Sequence, residues 1–142
     1  MFLGEYEYKI DAKGRVSIPP RFRGEFGEGI VLGRGPDRCI IACPPTLWDE
    51  ITERFSALPF TRSKERRIGR LIFGTAFSLE LDEQGRVLLP AKLREHSGIK
   101  EAAVVVGANK YLEIWNKELW EEEQEDVGEQ AWQILEGMEK RE

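Results

Sequence analysis

Residues 10–19, Ile10-Asp11-Ala12-Lys13-Gly14-Arg15-Val16-Ser17-Ile18-Pro19, return 71 residues later as Leu81-Asp82-Glu83-Gln84-Gly85-Arg86-Val87-Leu88-Leu89-Pro90. Across the 18 positions that align residues 6–23 with 77–94, six are identical: Asp, Gly, Arg, Val, Pro and a second Arg. Most of the others keep their apolar or polar character. A repeat of this kind is two copies of one small supersecondary unit. Each copy spans about 45 residues, below the size at which a lone hydrophobic core usually suffices. The 142-residue chain is therefore expected to be one domain in which the copies interdigitate their strands into a shared, barrel-like core. Pairing within the chain, with pseudo-twofold symmetry, is favoured over pairing between chains.

The local pattern supports this reading. Tyr6, Tyr8 and Ile10 alternate with Glu5, Glu7 and Lys9, and Phe77, Leu79 and Leu81 alternate with Ser78, Glu80 and Asp82. That is the period of a strand with one buried face. Gly14 and Gly85 then suit the positive φ of a tight turn, and Asp11 and Asp82 can bond the turn amides, so these four are expected to stabilise the turns. A second strand follows, so each copy is expected to open with a hairpin. Pro19-Pro20 and Pro90-Ala91 stop that strand and start a short helix. Short strands are expected at residues 30–32, 40–42, 103–106 and 111–114. Helices are expected over 46–58 and 61–73 and from Lys117 to Lys140. In the last helix, Trp120, Val127, Ala131, Ile134 and Met138 form a seam suited to another helix.

The fold expected is mostly β with short helices (α+β), a pseudo-symmetric β-barrel plus a C-terminal helix. Residues 5–49 and 76–120 would be the two copies, 50–75 a helical, basic connector and 121–142 an acidic helix or tail. Tyr8, Ile10, Val16, Leu79, Leu81 and Val87 are expected in the core, with Trp48 and Trp120 as equivalent anchors.

Charge and cysteine content narrow the function. The net charge is −5, but residues 117–142 hold ten acidic and three basic side chains, leaving residues 1–116 at about +2. Any polyanion contact must therefore be local. Cys39 and Cys43 are spaced CxxxC and there is one histidine, which makes a four-ligand metal site or a disulfide framework improbable. Two half-buried thiols in a cytoplasmic protein are expected instead. No apolar run approaches the roughly 20 residues of a bilayer span. Met1-Phe2-Leu3-Gly4-Glu5 lacks the basic region of a signal peptide. Gly33-Arg34-Gly35 has no following Lys-Ser/Thr, His96 has no nucleophile partner, and Asp11 and Asp82 each travel with an arginine that would neutralise a shared-proton dyad. No catalytic residues, metal or cofactor are expected.

The Asp-x-x-Gly-Arg-Val-x-x-Pro stretch after an alternating strand resembles the swapped-hairpin domains of the AbrB/SpoVT and MazE type. Two such units in tandem, led in by Met1-Phe2-Leu3-Gly4 and with Asp11-Ala12-Lys13-Gly14-Arg15 in the first, resemble the MraZ family nearly end to end. These are bacterial transcriptional regulators of the division and cell-wall gene cluster. The resemblance implies a double swapped-hairpin barrel, a ring-shaped homo-oligomer, a cytoplasmic, nucleoid-associated location and binding of double-stranded DNA at repeated promoter boxes. The hairpin residues Lys13, Arg15 and Arg86 would face the DNA. No membrane or small-molecule substrate is implied. In one departure, the second copy has Glu83-Gln84 where the first has Ala12-Lys13, one cation fewer and one carboxylate more.

From spacing alone, Arg15 and Arg86 admit two roles. They can carry guanidinium groups to phosphate oxygens or guanine edges, or pair with Asp11 and Asp82 as staples across the turn. Both can hold together. Lys13 sits beside Arg15, where a phosphate contact is reasonable. Arg21, Arg23, Lys92 and Arg94 read as a solvated helix face, and residues 62–70 as a basic stretch that pairs with the acidic tail of its own or a neighbouring chain. A second functional class stays open, a protein-binding assembly or antitoxin-like module without direct DNA readout. Two units and a seam-bearing helix favour the regulator.

Overall fold

The computed structural model describes residues 1–139. Its strands are β1 (Glu5–Lys9), β2 (Arg15–Ser17), β3 (Ile30–Arg34), β4 (Cys39–Cys43), β5 (Phe77–Leu79), β6 (Arg86–Leu88), β7 (Ala102–Gly107) and β8 (Leu112–Asn116). The helices are α1 (Pro45–Ser56), α2 (Ser63–Gly74), α3 (Ala91–Ser97) and α4 (Lys117–Glu139), and a 3-10 helix over Pro20–Phe26 takes the place of α3 in the first copy. Lys140, to which the sequence extends the last helix, lies outside the described residues.

Six strands form one antiparallel sheet in the order β1-β7-β8-β4-β3-β5, and β2 pairs with β6 in a separate two-stranded ribbon. The order is symmetric about the β4/β8 pair. The opening strand of each copy is delivered to the other, β1 to β7 and β5 to β3. This is a double swapped-hairpin barrel with pseudo-twofold symmetry, built within one chain.

The exchange is the interdigitation expected from the size of each copy, and only strand pairing within each opening hairpin, past the turn tip, departs from expectation. The turn tips close, with Gly14 N–H donating to Asp11 C=O at 3.0 Å and Asp11 N–H to Arg15 C=O at 3.1 Å. Past the tip the strands separate, and each pairs with a strand of the other copy, β1 with β7, β2 with β6 and β5 with β3. The ribbon is sealed across copies by Ile18 N–H to Gly85 C=O and Leu89 N–H to Gly14 C=O, both 2.9 Å.

The core fills the space between ribbon and sheet. Val16, Ile18, Val87 and Leu89 point inward from the ribbon side onto Ile30, Leu32, Ile40, Val105, Leu112 and Ile114, all buried. Each such side chain contributes about 1.5–3 kcal/mol relative to exposure. Phe2 seals one end, stacked on Phe26 and edge-on to Phe22. Tyr8, Ile10, Leu79 and Leu81 are only partly buried against this core. They lie on or just beyond β1 and β5, the two edge strands, which have one neighbour instead of two. Trp48 and Trp120 are likewise half-buried rather than central. Trp48 packs edge-on against Phe73 and so joins α1 to α2, whereas Trp120 tilts against Trp115 of β8 and pins α4 to the sheet. Cys39 and Cys43, expected half-buried, are buried, and burial pushes the Cys43 thiol up to about 11.

Candidate nucleic-acid interface

The ribbon is three residues per strand, with Arg15 opposite Leu88, Val16 opposite Val87 and Ser17 opposite Arg86. Strand alternation sends the two valines into the core and sends Arg15, Ser17, Arg86 and Leu88 to the outer face. Four outward side chains thus occupy one short platform, Leu88 exposed and the other three partly buried, flanked at each end by a repeated turn.

Each turn is built around its aspartate. Asp11 Oδ1 accepts the backbone N–H groups of Lys13 and Arg15, both at 2.9 Å, and Oδ2 accepts Arg15 Nε at 2.7 Å. Asp82 does the same for Gln84 and Arg86 N–H, both at 2.9 Å, and for Arg86 Nε at 2.8 Å. The pairs are then cross-linked. Arg15 Nη1 lies 3.5 Å from Asp82 Oδ2, and Arg86 Nη1 lies 3.6 Å from Asp11 Oδ2. The backbone N–H of Arg15, followed by its guanidinium and the Lys13 amide, outweighs desolvation and holds the Asp11 carboxyl down at about 2. Asp82 is lowered for the matching reasons, first the Arg86 N–H. Two carboxylates and two guanidiniums leave this quartet near neutrality. The arginine side chains are still 26% exposed. The staple and outward-facing readings of these arginines therefore coexist in the geometry.

Gly14 and Gly85 adopt φ of +84° and +76°, a conformation a side chain resists. Sequence reasoning missed what lies on them. Arg94 of the second copy covers Gly14, with its guanidinium carbon 3.2 Å from where a Cβ would stand, and Arg23 of the first copy lies directly against Gly85. Arg23 Nε donates to Ile18 C=O at 2.9 Å and Arg94 Nε to Leu89 C=O at 3.1 Å. These two arginines are not simply a solvated helix face. The available signal was that Arg23/Arg94 is the last of the repeat's six identities.

The two ends of the platform differ in charge. Lys13 is exposed at the first tip; its counterpart is Gln84. Glu28, Glu80 and Glu83 line the depression beside the second turn, with Arg23. Residues equivalent by the repeat to Glu80 and Glu83 are Lys9 and Ala12. The first end is cationic and the second acidic. Residues 62–70 make no ion pair with α4 among the described residues; α4 is tied instead through Lys117 Nζ to Glu7 at 2.8 Å and Gln124 to Glu5 at 3.0 Å. No helix of the described residues is long and apolar enough to cross a membrane.

Strands exchanged between two copies, around a ribbon whose outer face carries paired arginines and aspartates, define the class: a tandem swapped-hairpin barrel. The family described as "MraZ protein, putative antitoxin-like" matches residues 1–71 and again 72–135. The chain belongs to the MraZ family. It is 44% identical over 141 residues to the protein named transcriptional regulator MraZ of Dehalococcoides mccartyi strain BAV1, covering 99% of each chain. It is also 46% identical over 121 residues to that of Herpetosiphon aurantiacus, 85% of each chain, and 48% identical over 120 residues to that of Carboxydothermus hydrogenoformans, 84% of each.

Proposed function

We propose that this chain is a transcriptional regulator that binds double-stranded promoter DNA with the outer face of the β2/β6 ribbon in the major groove. The observation that carries this reading is the cross-linked quartet of Arg15, Arg86, Asp11 and Asp82 on that face. A two-stranded ribbon fits the roughly 12 Å width of the groove. Each aspartate holds its arginine through Nε, so the remaining guanidinium edge is presented in a fixed direction at little further entropic cost. Arg15 and Arg86 then contact guanine edges or phosphates, and Lys13 adds a phosphate contact at the first tip. The names borne by the relatives agree with regulation, and the reading involves no catalysis, cofactor or small-molecule substrate.

One ribbon offers few contacts, so useful affinity requires several ribbons acting together. The basic α2 and the acidic α4 supply unlike surfaces for a head-to-tail contact that closes into a ring. Val127, Ile134, Leu135 and Met138 are exposed along α4 and Ile68 and Leu71 along α2, apolar area that a neighbouring copy would cover. The regulator would then engage repeated promoter boxes in the cytoplasm, at the nucleoid.

Selection of bound fragments from random duplex DNA, followed by retardation assays at two salt concentrations, tests the proposal. Recovered fragments should carry regularly spaced short repeats and outcompete scrambled DNA at the higher salt. Recovery of no preferred sequence would contradict it and favour the protein-binding alternative.

A further inference from the structure

Of the four outward residues of the ribbon, Arg15 and Arg86 obey the repeat, whereas Ser17 and Leu88 break it. Leu88 is 49% exposed, while its chain neighbours Val87 and Leu89 are 1% and 0% exposed. The core therefore takes its apolar contacts from the residues on either side, and the pseudo-equivalent site manages with serine. Folding does not account for a half-exposed leucine between arginines.

Its position is informative. Leu88 faces Arg15 across the ribbon, at the end where Leu89 N–H bonds Gly14 C=O, Lys13 leads the turn and Arg94 covers the glycine. Ser17 faces Arg86 at the end bordered by Glu28, Glu80 and Glu83. The exposed apolar side chain and the surplus positive charge thus share one end, the end a polyanion approaches. Within the major groove the apolar feature of the base edges is the C5-methyl of thymine.

We propose that Leu88 contacts a thymine methyl next to the group held by Arg15, and that this contact fixes the direction in which each chain lies on its DNA box. It rests on the DNA-binding reading above and deepens it. Two arginines related by a pseudo-twofold axis would read a box equally well in either direction. Leu88 at one end and Ser17 at the other make the directions inequivalent, with the cationic first turn on the phosphates beside the thymine.

The full-length chain tests this on a box selected from random duplex, with each thymine replaced singly by deoxyuridine, which removes only the methyl. Parent binding should weaken about fourfold per contacting ribbon at one position, the effect of losing one buried methyl. Leu88→Ser, which restores the residue of the first copy, should bind the thymine and deoxyuridine boxes alike while keeping its melting temperature and sedimentation; Leu88→Ala should behave in the same way. A parent that prefers the box over scrambled DNA but is indifferent to every replacement overturns the inference and leaves DNA binding intact. So does a Leu88→Ser variant that keeps the parent's thymine sensitivity, or one that changes subunit number with DNA affinity unaltered, since Leu88 would then be covered by another copy. A parent with no sequence preference overturns both readings.

Discussion

Arg15 reaches across the pseudo-twofold axis to Asp82, its Nη1 3.5 Å from Oδ2, while its Nε holds Asp11 at 2.7 Å. Arg86 does the converse. The Oδ2 of each aspartate is thus shared by an arginine of each copy, and the residues that reveal the repeat in the sequence also tie the two copies together on the surface. The same contacts serve the fold and fix the direction of the guanidinium groups, which under the proposed reading prepares a contact face for DNA.

The quartet makes stability depend on acid. Asp11 titrates at about 2 in the folded chain against an ordinary 3.8. A lowered carboxyl contributes stability that is complete above its unfolded value and is lost as pH falls through its folded value. Melting temperature should therefore fall as pH is taken from about 4 toward about 2. Asp11→Asn should be less stable at neutral pH and should show a shallower acid dependence. A variant with the parent's full dependence would contradict the assignment.

Replacing either turn glycine by alanine should destabilise the chain. The left-handed conformation alone costs a residue with a Cβ roughly 1–2 kcal/mol. Gly85→Ala should cost more than Gly14→Ala, because Arg23 lies directly on Gly85 while Arg94 stands farther from Gly14. Chemical denaturation of both variants measures the difference. An unchanged midpoint for Gly85→Ala would show that the turn can adopt another conformation.

Residues 1–58 expressed alone should not fold. In that fragment β1 lacks β7, β2 lacks β6, β4 lacks β8 and β3 lacks β5. The expected amide spectrum is narrow and the thermal transition broad. A soluble monomer with dispersed resonances and cooperative melting would contradict a core shared between the copies.

The full chain should sediment as a species larger than a dimer at tens of micromolar. Truncation after residue 120 should reduce the subunit number by removing the apolar stripe of α4. Sedimentation of the full chain at 16.3 kDa would contradict the role given to that helix.

The element types and the turn chemistry were legible because they depend on short-range patterns: alternation, Asp-x-x-Gly and proline stops. That the copies interdigitate was legible from their size, but the individual strand partners were not. Alternation marks which face of β1 is buried but not which strand lies beside it, so a local hairpin and an exchanged one look alike in sequence. The same limit explains Tyr8, Ile10, Leu79 and Leu81, whose exposure follows from the edge positions of β1 and β5. Arg23 and Arg94 read as surface charges because helical spacing shows a face, not the turn of the other copy that the face meets. The Asp/Arg spacing did announce the staple across each turn, and the cross-link between copies became visible only in three dimensions.

The central claim, that the ribbon's outer face reads DNA, is tested most directly by comparing the parent and Arg15→Ala on selected and scrambled boxes across a salt series. If several ribbons act together, the apparent loss on the selected box should far exceed the roughly 1–3 kcal/mol of one arginine–guanine pair. Arg86→Ala, at the acidic end, should lose less. Loss confined to the selected box would identify a base contact, and a uniform loss with the salt slope reduced by about 0.9 per contact would identify a phosphate contact. An Arg15→Ala chain that remains folded and oligomeric and binds as tightly as the parent would contradict the claim, and the guanidinium would then be a staple alone.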